Sequence, residues 1–83
     1  MEIFSTGELD KDLRRAGKEE IKRVHAVIEL LKVSNFIGKQ LHHVKSVYAV
    51  RIGNKRLVYR VEKTKVTLLF FKSRENVYDY LRE

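Results

Sequence analysis

Apolar residues change their spacing along this chain, and each change marks an element. Met1–Phe4 predicts a short first strand with Ile3 or Phe4 buried. Ser5-x-x-Glu8 has capping-box spacing, so a helix is expected to start near Thr6 or Gly7. Leu9, Leu13 and Ala16 give it one apolar stripe. Gly17 is placed to cap its C-terminus, and Asp10, Lys11, Asp12, Arg14 and Arg15 form a wet face of mixed charge. Lys18 to about Lys32 is the clearest helix. Ile21, Val24, Ile28 and Leu31 fall on a 3.6-residue stripe flanked by Val27, while Glu19 and Glu20 in the first turn and Lys32 in the last match the helix dipole. Neither helix can bury its stripe alone, so the pair is expected to lie as a hairpin on the apolar face of a sheet.

From Val47 the period shortens to two. Val47–Val61 reads as two strands around Gly53-Asn54, a dipeptide suited to a two-residue hairpin loop because Gly takes a positive φ without a Cβ clash. That turn predicts a register: Ile52 opposite Lys55, Arg51 opposite Arg56, Val50 opposite Leu57, Ala49 opposite Val58, Tyr48 opposite Tyr59 and Val47 opposite Arg60. One face then carries Tyr48, Val50, Leu57, Tyr59 and Val61. The other carries Arg51, Arg56 and Arg60 around Ala49 and Val58. A second turn at Glu62–Lys65 and a third strand, Val66–Phe71, would set Tyr59 against Leu68, Leu57 against Phe70 and Phe71 against Arg56. Ser73 is a candidate N-cap for a short helix over Arg74–Arg82, with Val77 and Leu81 spaced to pack and Tyr78 and Tyr80 pointing elsewhere. Ser34–Ser46 reads as a connection pinned by Leu41 and by Phe36 or Ile37. The expected architecture is one α+β domain over 1–83, in the order β-α-α-β-β-β-α, a helical hairpin on a small twisted antiparallel sheet.

Charge changes this picture. The chain carries a formal +7. Residues 1–45 hold nine Lys/Arg against seven Asp/Glu, and residues 46–83 hold nine against four, so the excess lies in the strand half. A basic excess on one element is the footprint of a polyanion binder, or of a surface for an acidic protein. Arg51 and Arg56 directly opposite each other repel by up to about 1 kcal/mol. They are either solvated surface arginines or a site for an anion. Cysteine is absent, so no disulfide or thiolate metal site is available. His42-His43 comes without a carboxylate or cysteine cluster, which fits contact with phosphate or RNA better than a metal. Neither a leader nor an apolar run of about 18 residues is visible, so a soluble, cytoplasmic protein without cofactors is expected.

One string resembles a known family. Tyr48-x-Val50-Arg51-Ile52-Gly53-x-x-Arg56-Leu57-Val58-Tyr59-x-Val61, preceded by Leu41 and followed by Lys72-x-Arg74-x-x-Val77-Tyr78, is similar to the RelE/ParE superfamily of toxins from toxin–antitoxin modules, closer to its RelE-like branch. The resemblance implies a cognate antitoxin as partner and one of two activities. RelE-like members cleave mRNA in the ribosomal A site, whereas ParE-like members inhibit DNA gyrase. A catalytically silent nucleic-acid-binding module is a third possibility. In the RelE-like case Arg51, Arg56, Arg74 and Tyr78 would be the catalytic set. Arg60, Lys55, Lys72, His42 and His43 would contact RNA. Ala49 stands where RelE-like sequences often place a lysine. The implied chemistry is attack of the ribose 2′-OH on the adjacent phosphate, without a metal. Arginines would stabilise the added negative charge and Tyr78, beside Arg74 and Lys72, or a histidine would move protons.

Overall fold

The computed structural model describes residues 2–33, 38–41 and 45–77. Strand β1 (Glu2–Ser5) leads into helix α1 (Gly7–Arg14), followed by α2 (Lys18–Leu31). A two-residue strand β2 (Lys39–Gln40), then β3 (Val47–Ile52), β4 (Lys55–Glu62) and β5 (Lys65–Ser73) complete one sheet in the order β1-β5-β4-β3-β2. A 3₁₀ turn, Arg74–Asn76, follows β5. The fold is α+β, with the two helices packed on a sheet, as expected; the sheet has five strands where four were expected. The sheet is mixed, not wholly antiparallel, because β1 pairs parallel with β5. The remainder of the helix expected over Arg74–Arg82 lies outside the described residues.

Local chemistry explains most boundaries. The cap of α1 is Thr6, whose hydroxyl accepts from the Leu9 amide at 3.1 Å; Ser5, the first residue of the expected capping box, is still in β1. Gly17 acts at the start of α2 and not at the end of α1. Its amide donates to the Glu20 carboxylate at 3.0 Å, which closes the hairpin between the helices. Gly53 has φ +62°, the conformation its missing Cβ permits, and Asn54 does not share it, the pattern of a type II′ turn. The β3–β4 register is the expected one at all six pairs.

The β4–β5 register is expected only as far as Tyr59–Leu68. A bulge there inserts Leu69, so Val58 faces Phe70, Leu57 faces Phe71 and Arg56 faces Lys72. Phe71 therefore lies on the helix side of the sheet and Phe70 takes the outer face, which corrects the pairing of Leu57 with Phe70 and of Arg56 with Phe71. The start of α1 provides for the bulge. Thr6 Oγ1 donates to the Leu69 carbonyl and the Phe71 amide donates to Asp12 Oδ2 at 3.0 Å. Both bonds use backbone groups that an ideal ladder would have paired.

Two apolar clusters result. On the helix side Leu9, Val24, Leu31, Ile52, Leu57, Tyr59, Val66, Leu68 and Phe71 are buried together. On the outer face Val47, Ala49, Val58 and Phe70 are covered by Leu41, from the connection before β3, and by Val77, from the residues after the 3₁₀ turn. Leu41 thus pins the connection as expected, onto the outer face. The β2 strand within that connection was not expected. It pairs Lys39 with Ala49 and Gln40 with Tyr48. The amide of Gly38 donates to the Tyr59 hydroxyl at 3.0 Å, and a Cβ at Gly38 would sit 2.8 Å from that oxygen and 2.9 Å from the Ala49 carbonyl. Glycine is what lets the connection approach the sheet so closely.

Candidate functional site

At the Gly53 end of the sheet the outer face turns cationic. Arg51 and Arg56 lie opposite each other across β3 and β4, their side chains on the face opposite the helices by strand alternation. The last residue of β5, Ser73, and the 3₁₀ turn with Arg74 and Glu75 come to the same place. Together with Asn54 and Lys55 these residues line a cleft of about 570 Å³. Arg51 and Arg74 are exposed and Arg56 is half-buried. The Arg51 Nε donates to the Gly53 carbonyl at 3.3 Å, which holds its side chain along the hairpin turn. Among the described residues none of the three arginines is ion-paired to a carboxylate. Three guanidiniums that stay charged at any physiological pH, set around one concavity, are suited to bidentate contact with phosphate oxygens.

No protein-family model and no curated protein matches the sequence. Solved structures match in three dimensions. A chain of the RelB–RelE antitoxin–toxin complex from Methanococcus jannaschii is similar with a TM-score of 0.79 at 23% identity, covering 93% of this chain and 96% of that one. The isolated E. coli RelE toxin gives 0.76 at 20% identity, over 98% and 94%. YafQ from E. coli strain BL21(DE3) gives 0.74 at 13% identity, over 93% and 97%. The chain has the fold of the RelE-like toxins.

Within this RelE-like fold the expected site residues separate. Arg51, Arg56, Arg74 and Lys55 meet at the cleft. Lys55 also leans toward the helices, with its ammonium 3.3 Å from Glu20 and 5.3 Å from the centroid of Phe71. The Gly17 amide first, and Lys55 with it, hold the Glu20 carboxyl below its ordinary range. Arg60 is exposed on the outer face between Val47 and Thr67, four residues along β4 from Arg56 and so roughly 13 Å from the cleft. Tyr78, His42 and His43 lie outside the described residues.

Lys72 is placed differently from its expected role. In register it extends the row Arg51–Arg56 onto β5. Its ammonium instead contacts the Asp12 carboxylate and, at 2.7 Å, Glu8. Burial alone would lower its pKa; Asp12 and Glu8 outweigh that and hold it above its ordinary value. Its hydrogen bond is also what lowers the Glu8 carboxyl. Asp12, expected on the wet face of α1, is buried. The legible signal was its spacing: Leu9, Asp12, Leu13 and Ala16 share one helical face, and an acid on such a face requires a partner. Glu75, Ser73 and Asn54 were not expected at the site. Their only signal is adjacency to Arg74 and Gly53, which says nothing of the fold that brings those two together.

Proposed function

We propose that the protein is the toxin of a toxin–antitoxin module, a member of the RelE/ParE superfamily that cleaves mRNA on the ribosome. The observation that carries this reading is the cleft, where Arg51, Arg56 and Arg74 face one concavity from β3, β4 and the 3₁₀ turn. The proposed reaction is attack of a ribose 2′-OH on the adjacent phosphate. The arginines hold the phosphate oxygens and oppose the charge that builds on them, so neither metal nor cofactor is needed. Tyr78 retains the proton-transferring role that the family resemblance implies. The RelE-like fold supports the module, since complexes of RelE with RelB are known from Methanococcus jannaschii and Pyrococcus horikoshii. A cognate antitoxin, acidic to suit the +7 charge, is the assigned protein partner. The site of action is the cytoplasm.

The test is to add the purified protein to ribosomes translating a defined mRNA and to map cuts by primer extension, with Arg56→Ala in parallel. Cuts in the A-site codon, reduced at least about tenfold by the substitution, support the nuclease. No cuts by the wild type at excess protein overturn it. Ala49 favours a second reading. It is buried beneath Leu41 and Val77, so the centre of the outer face carries no cation. A ParE-like protein that inhibits gyrase by binding needs none. Loss of supercoiling with intact mRNA is the result that would select it.

A further inference from the structure

Beyond Leu68 the two edges of β5 are held differently. On one side the ladder to β4 continues through Phe71, Lys72 and Ser73. On the other side β1 ends at Ser5, opposite Leu68. There helix α1 takes the place of a neighbouring strand. Thr6 Oγ1 donates to the Leu69 carbonyl, the Phe71 amide donates to Asp12 Oδ2 at 3.0 Å, and the Lys72 ammonium reaches Asp12 Oδ1 and, at 2.7 Å, Glu8. The helix is itself fixed, because Leu9 is buried in the core and Thr6 caps the first turn. Arg74 follows the last ladder pair, Lys55–Ser73, and lines the cleft with Arg51 and Arg56. Pairing within the sheet therefore places Arg51 and Arg56, whereas the direction in which the chain leaves β5 places Arg74. A strand paired on one edge only twists more freely than one held on both.

We infer that Asp12 is a positioning residue: with Glu8 it grips the end of β5 through the Phe71 amide and the Lys72 ammonium, and so aims Arg74 at a phosphate shared with Arg51 and Arg56. The inference rests on the phosphate-binding reading of the cleft. It also gives Lys72 a role other than RNA contact. In register Lys72 continues the row Arg51–Arg56, but two carboxylates neutralise its charge and only 12% of its side chain is exposed. A guanidinium that bonds a phosphate oxygen must meet it at the right distance and angle, and an Arg74 that has to be ordered on binding costs affinity. The sign of the effect is diagnostic. Acting through its charge alone, Asp12 would oppose a polyanion, and its removal would tighten binding. Acting through Arg74, its removal weakens binding.

The test is the affinity of a short, end-labelled single-stranded RNA at low salt, read by fluorescence anisotropy, for wild type, Asp12→Asn, Arg74→Ala and the double variant. Asparagine keeps an oxygen for the Phe71 amide and loses the charge that holds Lys72; thermal melting checks that the variant is folded at the assay temperature. Arg74→Ala is expected to weaken binding about tenfold. Asp12→Asn is expected to weaken it about fivefold, although it makes the protein more positive, and to cause no loss where Arg74 is already alanine. Should Asp12→Asn fail to fold, Glu8→Gln carries the same test at a more exposed position, with a loss of about twofold expected. Binding by these variants as tight as wild type or tighter, or an equal loss with and without Arg74, overturns the inference and leaves the reading of the cleft standing. Wild-type binding no tighter than that of Arg74→Ala overturns both.

Discussion

The two faces of this sheet use the same strands for opposite ends. On the helix side, alternate residues of β3, β4 and β5 meet the stripes of α1 and α2 and lose contact with water. Tyr59 shows how complete this is. It is fully buried, stacked on Tyr48 with centroids 5.6 Å apart, and its hydroxyl accepts the Gly38 amide; burial raises its pKa. On the outer face the intervening residues form a smaller apolar island, closed by Leu41 and Val77, and beyond it three arginines around a cleft. The inner face satisfies its polar groups inside the fold. The outer face leaves like charges opposite each other. Repulsion between Arg51 and Arg56 costs stability, a cost that the proposed phosphate ligand would offset.

Matched substitutions can break this contrast. The largest effect is expected from Leu57→Ala, on the helix side, at about 4 kcal/mol, against about 2 kcal/mol for Leu41→Ala at the margin of the outer cluster. Urea unfolding of both measures it, and equal losses would mean that the outer island is as much a core as the inner one. Next is Asp12→Ala, which leaves the Phe71 amide without its acceptor and takes one of two carboxylates from Lys72, and should cost about 2 kcal/mol. Should it cost nothing, the bulge does not depend on α1. Ala49→Lys restores the lysine frequent in RelE-like sequences, but it does so under Leu41 and Val77. A loss of about 2 kcal/mol is expected; a melting temperature equal to that of wild type would show that this part of the outer face is open.

The smallest effect concerns pH. Glu8 and Glu20 have folded-state pKa values below the unfolded value of 4.5. Their stabilising contribution is therefore full above that value and is lost as pH falls through the folded pKa. Lys72, raised above 10.5, behaves in reverse: its contribution is present below that value and is lost as pH rises through the folded pKa. The melting temperature should fall as pH drops below about 4.5, and Glu8→Gln should fall less steeply. Identical acid profiles for the two proteins would remove the Glu8–Lys72 pair from the account.

How much of this was legible differs between hairpins. The β3–β4 register followed from Gly53, because a two-residue turn sets every pair above it. The same reasoning applied to β4–β5 failed after Tyr59. The bulge is stabilised by Thr6 and Asp12, which are 63 and 59 residues away in sequence from their partners Leu69 and Phe71. No local pattern in a strand reports a helix that will lie along its edge. The candidate site divides in the same way. Arg51 opposite Arg56 could be read from the turn alone. Arg74 was grouped with them only through the family resemblance, and that Glu75 joins them while Lys72 turns away to Asp12 and Glu8 could not be read at all.

By itself the sequence determined what periodicity, turn chemistry and charge control: two amphipathic helices, a three-stranded meander, its first register, and a basic excess in the strand half. The tertiary structure decided the parallel pairing of β1, the bulge at Leu69, the exchange of Phe70 and Phe71 between faces, and which cations share the cleft. Side-chain alternation is a local property, carried along each strand by its own backbone. Which backbone groups are left for another element to satisfy, and which charges find partners, depends on contacts between residues far apart in the chain, and these exist only once the sheet and helices have met.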